Sequence, residues 1–201
     1  MKLYFSPGAC SLAPHIALLA TGLPFASERV SLRTKQTGSG EDFRALSPKG
    51  YVPALELEDG RLLTENQVIL QYVADQAPAS GLAPAFGSFE RYQLMEWLGW
   101  LSTELHKRFS PLFTPGTTEE GKQAAWAALA APLTYVANRI DGDGYLTGPQ
   151  FTVADAYLFA VLNWVGFAKH SLEAWPALQA YQARVASLPV VREALRREGL
   201  N

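Results

Sequence analysis

A single cysteine stands in 201 residues, and its surroundings decide what its sulfur can do. "YFSPGACSLAPHIALL" (Tyr4–Leu19) places Cys10 just after the Pro7-Gly8 turn and just before an apolar run. As packing, a lone cysteine is a small buried hydrophobe. As chemistry, its place at the start of a helix lets unpaired amides and the helix dipole stabilise a thiolate and lower the thiol pKa. Ser11 is a second hydroxyl or thiol-type group in the same turn. Farther along, His106 can change charge near neutral pH and has Lys107 beside it. On its own it reads as a surface or cleft histidine. It shares a polar stripe with Tyr92, Glu96, Gly99 and Thr103 at steps of three or four residues. With no second cysteine, a dithiol cycle within one chain is excluded, so any disulfide at Cys10 needs an outside thiol to resolve it.

The elements that must position these groups fall into two halves. "KLYFS" reads as a strand ended by Pro7-Gly8, and Ser11–Ala20 as a helix with Leu12, Ile16, Leu19 and Ala20 at helical spacing. Pro14 costs little in a first turn, and Gly22 with Pro24 beyond it makes a stop. "ASERVSL" (Ala26–Leu32) alternates like a strand, and the polar stretch Arg33–Asp42 is a loop leading to a short helix. Val52–Leu63 reads as a hairpin with Asp59-Gly60 as its tight two-residue turn. Thr64–Gln76 then reads as a helix. This order, βαβαββα, describes a thioredoxin-like mixed sheet over residues 1–77. Residues 78–87, rich in Pro, Gly and Ala, are the expected linker.

Residues 88–201 read as all-α. Ser88–Phe109 is expected as one long helix, Thr118–Ile140 as a second ended by "DGDG", and Phe151–Val165 as a buried central helix. Thr152 and Asp155 have capping-box spacing at its start. Two shorter helices, Pro176–Ala186 and Val190–Arg197, follow.

Composition sets the class. Hydrophobic residues at 48% and charged residues at 18% describe a globular chain. A net charge of −2 gives no basic field for nucleic acid. The apolar runs are too short to span a bilayer, no signal peptide is visible, and one cysteine suits a reducing cytoplasm and offers no metal-binding set.

Taken together and in order, "PGACSLAPHI", "SPKGYVPALEL", "LTENQVILQYV", "ELHKRFSPLF" and "FTVADAYLF" resemble the glutathione S-transferases, and among them the bacterial beta class. The resemblance covers the whole chain. It implies a cytoplasmic homodimer that uses glutathione as co-substrate, without a metal, in detoxification. It places Cys10 beside the glutathione sulfur, where a mixed disulfide can form. It implies a cis Val52-Pro53 bond that turns the Val52 backbone toward the tripeptide, with Tyr51 alongside. Lys35 matches a position that meets the glycyl carboxylate, and Glu65 and Asn66 match positions at the γ-glutamyl end. Thr103, Glu104 and His106 match positions that approach glutathione, some from the neighbouring subunit. Ser11, Cys10 and His106 are thus the implied catalytic set. Phe109, Phe113, Trp164 and Phe167 are expected around the electrophile. Tyr4, next to Phe5 on a strand, is not assigned the thiol-activating role that a tyrosine has in other classes.

Two positions depart from the family pattern. Asn66 stands where a serine is usual, and Gly99 where an asparagine is usual, with extra room in the cleft as its expected effect. The leading function is conjugation of glutathione to small hydrophobic electrophiles, with disulfide exchange through Cys10. The alternative is a non-catalytic glutathione- or ligand-binding regulator that keeps the fold.

Overall fold

The structure, a computed structural model, describes residues 1–140, 142 and 144–200. Its first part is β1 (Lys2–Phe5), α1 (Leu12–Thr21), β2 (Ala26–Arg29), α2 (Phe43–Leu46), β3 (Ala54–Glu56), β4 (Leu62–Thr64) and α3 (Asn66–Gln76). The strand order is β2-β1-β3-β4, with β1 parallel to β2 and antiparallel to β3. This is the mixed thioredoxin-like sheet that the order of elements predicts.

Two local differences have plain causes. β2 stops at Arg29 rather than running to Leu32, because Arg29 pairs with Phe5, the last residue of β1. Beyond it the chain folds back on its own loop, with Val30 bridging to Thr37. The hairpin turn is a three-residue loop, not a two-residue one. Gly60 donates to the Leu57 carbonyl at 3.0 Å, and Leu57 donates to Arg61 at 2.8 Å. Gly60, at φ +81°, supplies the left-handed position that such a loop needs.

The second part holds α4 (Phe89–Trp100), α5 (Ser110–Phe113), α6 (Glu119–Ala137), α7 (Val153–Phe167), α8 (Pro176–Ser187) and α9 (Pro189–Glu198). The expected single helix over 88–109 is broken by a π-helical turn, Leu101–Leu105, followed by a 3₁₀ turn, His106–Phe109. Leu98, Leu101, Leu105 and Phe109 all stay fully buried. Two successive steps of four residues overrun a 3.6-residue turn, and the wider π turn absorbs the excess. The expected stop at 141–144 lies partly outside the described residues. α6 itself ends at Ala137.

The halves share one core. α1 is buried on every side, packed against α3, α7 and α9. α7 runs through the centre with nearly every side chain buried. Its capping box is present: Asp155 accepts from the Thr152 amide at 2.9 Å and from the Thr152 hydroxyl at 2.8 Å. Arg91 on α4, buried, reaches back to Asp75 on α3 with two bonds of 2.8 and 3.0 Å, which fixes the helical part against the sheet part.

Candidate active site

The turn between β1 and α1 is held from both sides at Gly8. Its amide donates to Glu198 Oε2 on α9 at 2.9 Å, and its carbonyl accepts from the Trp164 indole on α7 at 2.7 Å. Glu198 also meets His15 Nδ1 of α1 at 2.9 Å, with both side chains fully buried. Gly8 sits at φ +72°, and a Cβ there would lie 2.8 Å from the Phe167 ring, so only glycine fits. Ser11 takes no part in the cleft. Its buried hydroxyl bonds to the Ser6 amide and carbonyl, at 3.1 and 3.2 Å, and closes the turn.

Cys10 does reach the cleft, a space of 340 Å³ between the two halves. Its thiol donates to the Val52 carbonyl at 3.5 Å. The lowered pKa expected from the helix start is overturned. Burial pushes the thiol up to about 12, and the amides of Cys10 and Ser11 offset only part of that. Val52 precedes Pro53 through a cis bond, as the resemblance implies.

Across from Cys10, the turn after the π segment brings His106 into the same cleft. His106 Nδ1 lies 2.7 Å from the Tyr157 hydroxyl, and its ring packs edge-on against Trp164. Burial, with the Lys107 charge beside it, lowers the imidazole to about 4, so it is neutral at physiological pH. Trp164, Phe113 and Phe167 form an aromatic wall, faced by Leu32 and Tyr51 from the sheet side. Phe109 is not part of that wall. It is fully buried behind Trp164, 5.7 Å between rings, because the π turn rotates it into the core.

The remaining candidates sit at the rim or outside. Lys35 Nζ donates to the Gly50 carbonyl at 2.9 Å and lies 5.1 Å above the exposed Tyr51 ring. Glu65, at φ +72° before α3, is bonded to Lys49 at 2.7 Å. Asn66 is buried, and neither polar atom of its side chain has a partner. Thr103 is exposed and bonded to Gly99, while Glu104 pairs with Arg108 at 2.7 Å; neither lines the cleft. Gly99 does not line the cleft either, so the glycine opens no room in it. Tyr4 turns its hydroxyl to Glu56 at 2.9 Å. Among the described residues no metal-binding group of His, Cys, Asp or Glu occurs, and no helix is long and apolar enough to cross a membrane.

The model of the glutathione S-transferase N-terminal domain matches residues 8–76, and that of the C-terminal domain matches residues 101–189. The chain belongs to the glutathione S-transferase family. It is 46% identical over the full length of both chains to glutathione S-transferase GstA of Escherichia coli O157:H7. Among solved structures it superposes on a sphingomonad glutathione S-transferase complexed with glutathione, at 49% identity and TM-score 0.95. It also superposes on the bacterial beta-class glutathione S-transferase of Sphingomonas chungbukensis, at 47% identity and TM-score 0.96; each comparison covers both chains fully.

In this transferase fold, four residues that the sequence did not single out stand at the site: His15, Lys49, Tyr157 and Glu198. Each acts through a partner far along the chain, except Lys49, whose place in "SPKGYVP" is the one local signal. The neutral His106 has a measurable consequence. Its pKa is about 4 when folded against an ordinary 6.5, so between these values the unfolded chain binds more protons. Stability contributed by the neutral ring is present above pH 6.5 and is lost as pH falls toward 4. Melting temperature should therefore drop more steeply over that window in wild type than in His106→Gln; parallel curves would refute the assignment.

Proposed function

We propose that this cleft binds glutathione and joins its thiol to small hydrophobic electrophiles, as a glutathione S-transferase of the beta class. The observation that carries the reading is the meeting in one cleft of the Cys10 thiol, the backbone beside cis Pro53, a neutral histidine and an aromatic wall. The Val52 carbonyl and amide are offered to the cysteinyl unit, Lys35 and Tyr51 to the glycyl end, and Glu65 to the γ-glutamyl ammonium. The amides at the start of α3, Asn66 among them, face the γ-glutamyl carboxylate. The ligand thiol gives its proton to solvent water at the mouth of the cleft, and hydrogen bonds from His106 and the α1 turn favour the resulting thiolate. That thiolate forms the new carbon–sulfur bond while the electrophile's leaving group departs or its double bond takes the electron pair. Phe113, Trp164 and Phe167 hold the electrophile.

Cys10 serves a lesser role in this scheme. Its high pKa keeps the sulfur protonated, so it holds the neighbouring thiol rather than attacking, and exchange with disulfides is slow. A homodimer suits the outward-facing Thr103 and Glu104 and the exposed Phe89, Tyr92 and Met95 of α4, and a reducing cytoplasm suits the free thiol.

Retention on immobilised glutathione, conjugation of an aryl halide and reduction of a mixed disulfide, in wild type and Cys10→Ala, test this. The variant should keep conjugation within about tenfold, as a group that only holds the thiol would predict, and lose disulfide reduction. A wild type that is retained but turns over neither substrate would favour the binding-protein alternative. No retention and no turnover in either assay would sink the transferase reading.

A further inference from the structure

His106 and Tyr157 form a pair whose proton arrangement can be deduced, and the deduction rests on the glutathione reading only for its catalytic consequence. We propose that Tyr157 is a positioning residue that fixes His106 in the neutral tautomer with its proton on Nε2, so that one N–H donor is held toward the sulfur in the cleft. The two residues are 51 positions apart, and their rings meet edge-on at 5.9 Å. Trp164 packs against the same imidazole at 4.7 Å, so the ring is fixed by contacts on both neighbours. Tyr157 is 1% exposed, and His106 Nδ1 is the hydrogen-bond partner of its hydroxyl, at 2.7 Å.

The direction of that bond follows from what surrounds it. Burial raises the Tyr157 hydroxyl well above the ordinary tyrosine value, so it keeps its proton. Among the described residues that hydroxyl has no other hydrogen-bond partner, so its proton is given to Nδ1. A neutral imidazole has one N–H and one lone pair. With Tyr157 donating to Nδ1, the lone pair is there and the N–H is on Nε2. The charged or titratable neighbours are Lys107 next to His106, and Cys10 and Glu65 acting on Tyr157. Lys107 adds to the burial that keeps the ring neutral. Without the hydroxyl, Nδ1 loses its partner and the two tautomers compete, so fewer molecules present a donor to the cleft.

The ring nitrogens report the tautomer directly. Nitrogen-15 NMR of the labelled protein, with His106→Gln to assign the signal among three histidines, should show the Nε2–H form in wild type and a shift toward a mixture in Tyr157→Phe. An Nδ1–H form in wild type overturns the proposal, and needs no variant to fold. In conjugation assays Tyr157→Phe should lower kcat about tenfold with the KM for glutathione within about twofold. That loss should disappear in a His106→Gln background, since the effect passes through the imidazole. An equal loss in both backgrounds overturns it. A wild type that shows the Nε2–H form yet conjugates nothing supports the positioning role and overturns the transferase reading instead.

Discussion

Replacing Asp155 by alanine is expected to lower the unfolding free energy by about 4 kcal/mol, a large share of the 5–15 kcal/mol typical of a native protein. The carboxyl is fully buried and accepts four bonds: from the Leu146 amide at 2.9 Å, from the Thr152 amide and hydroxyl, and from the Tyr181 hydroxyl at 2.8 Å. Loss of a helix cap alone costs about 1 kcal/mol. Each buried donor left without a partner adds about 1–3 kcal/mol, less whatever water recovers. The residue therefore ties the start of α7 to the preceding loop and to α8, and the central helix carries Trp164 into the cleft and Tyr157 to the buried side of His106. Urea unfolding of the variant and of Asp155→Asn, which keeps one acceptor oxygen, checks the figure. A loss below about 1 kcal/mol in the alanine variant would show that the carboxyl is not the hub its bonds describe.

Glu198→Ala is expected to act on both stability and turnover. It strands the Gly8 amide and His15 Nδ1 in a buried place, at a cost of about 3 kcal/mol. It also frees one side of the turn that carries Cys10, leaving Trp164 to hold the other. Misplacement of a turn by about 1 Å costs on the order of a hundredfold in rate, so kcat/KM for conjugation should fall by about that factor. The Cys10 thiol, buried in the intact protein, should react faster with an alkylating reagent. Glu198→Gln, which can still accept from Gly8, should lie between the two. If Cys10 keeps its protection and turnover is unchanged in the alanine variant, Glu198 is a packing residue only.

Features written in neighbouring residues were legible. The strand–turn–helix at Lys2–Thr21, the hairpin around Gly60 and the Thr152–Asp155 box each follow from local spacing, and the structure has them with shifts of a few residues. What the sequence hid falls into two kinds. One is pairing at a distance: Gly8 with Glu198 and His106 with Tyr157 leave no period in the chain, because each needs only one residue at each end. The other is environment. The helix start at Cys10 argues for a thiolate, but the depth of the sulfur depends on Val52 and the core around it, and desolvation outweighs the amides. Phe109 is a second case: the expectation that it lines the electrophile space came with the resemblance, whereas its spacing from Leu101 and Leu105 is that of the buried stripe it joins.

The clamp on Gly8 has a consequence in time as well as in space. Its amide waits for a carboxyl 190 residues later in the chain. At about 5–20 residues per second of synthesis, that is roughly 10–40 s. For most of this interval β1 and the start of α1 exist without α7, and for all of it without the Glu198 end of α9. Cys10 then has neither its burial nor the pKa that burial imposes, and behaves as an ordinary reactive thiol. The sulfur is most open to glutathione and oxidants during synthesis, because the helix that closes the turn around it is made after α7 and α8.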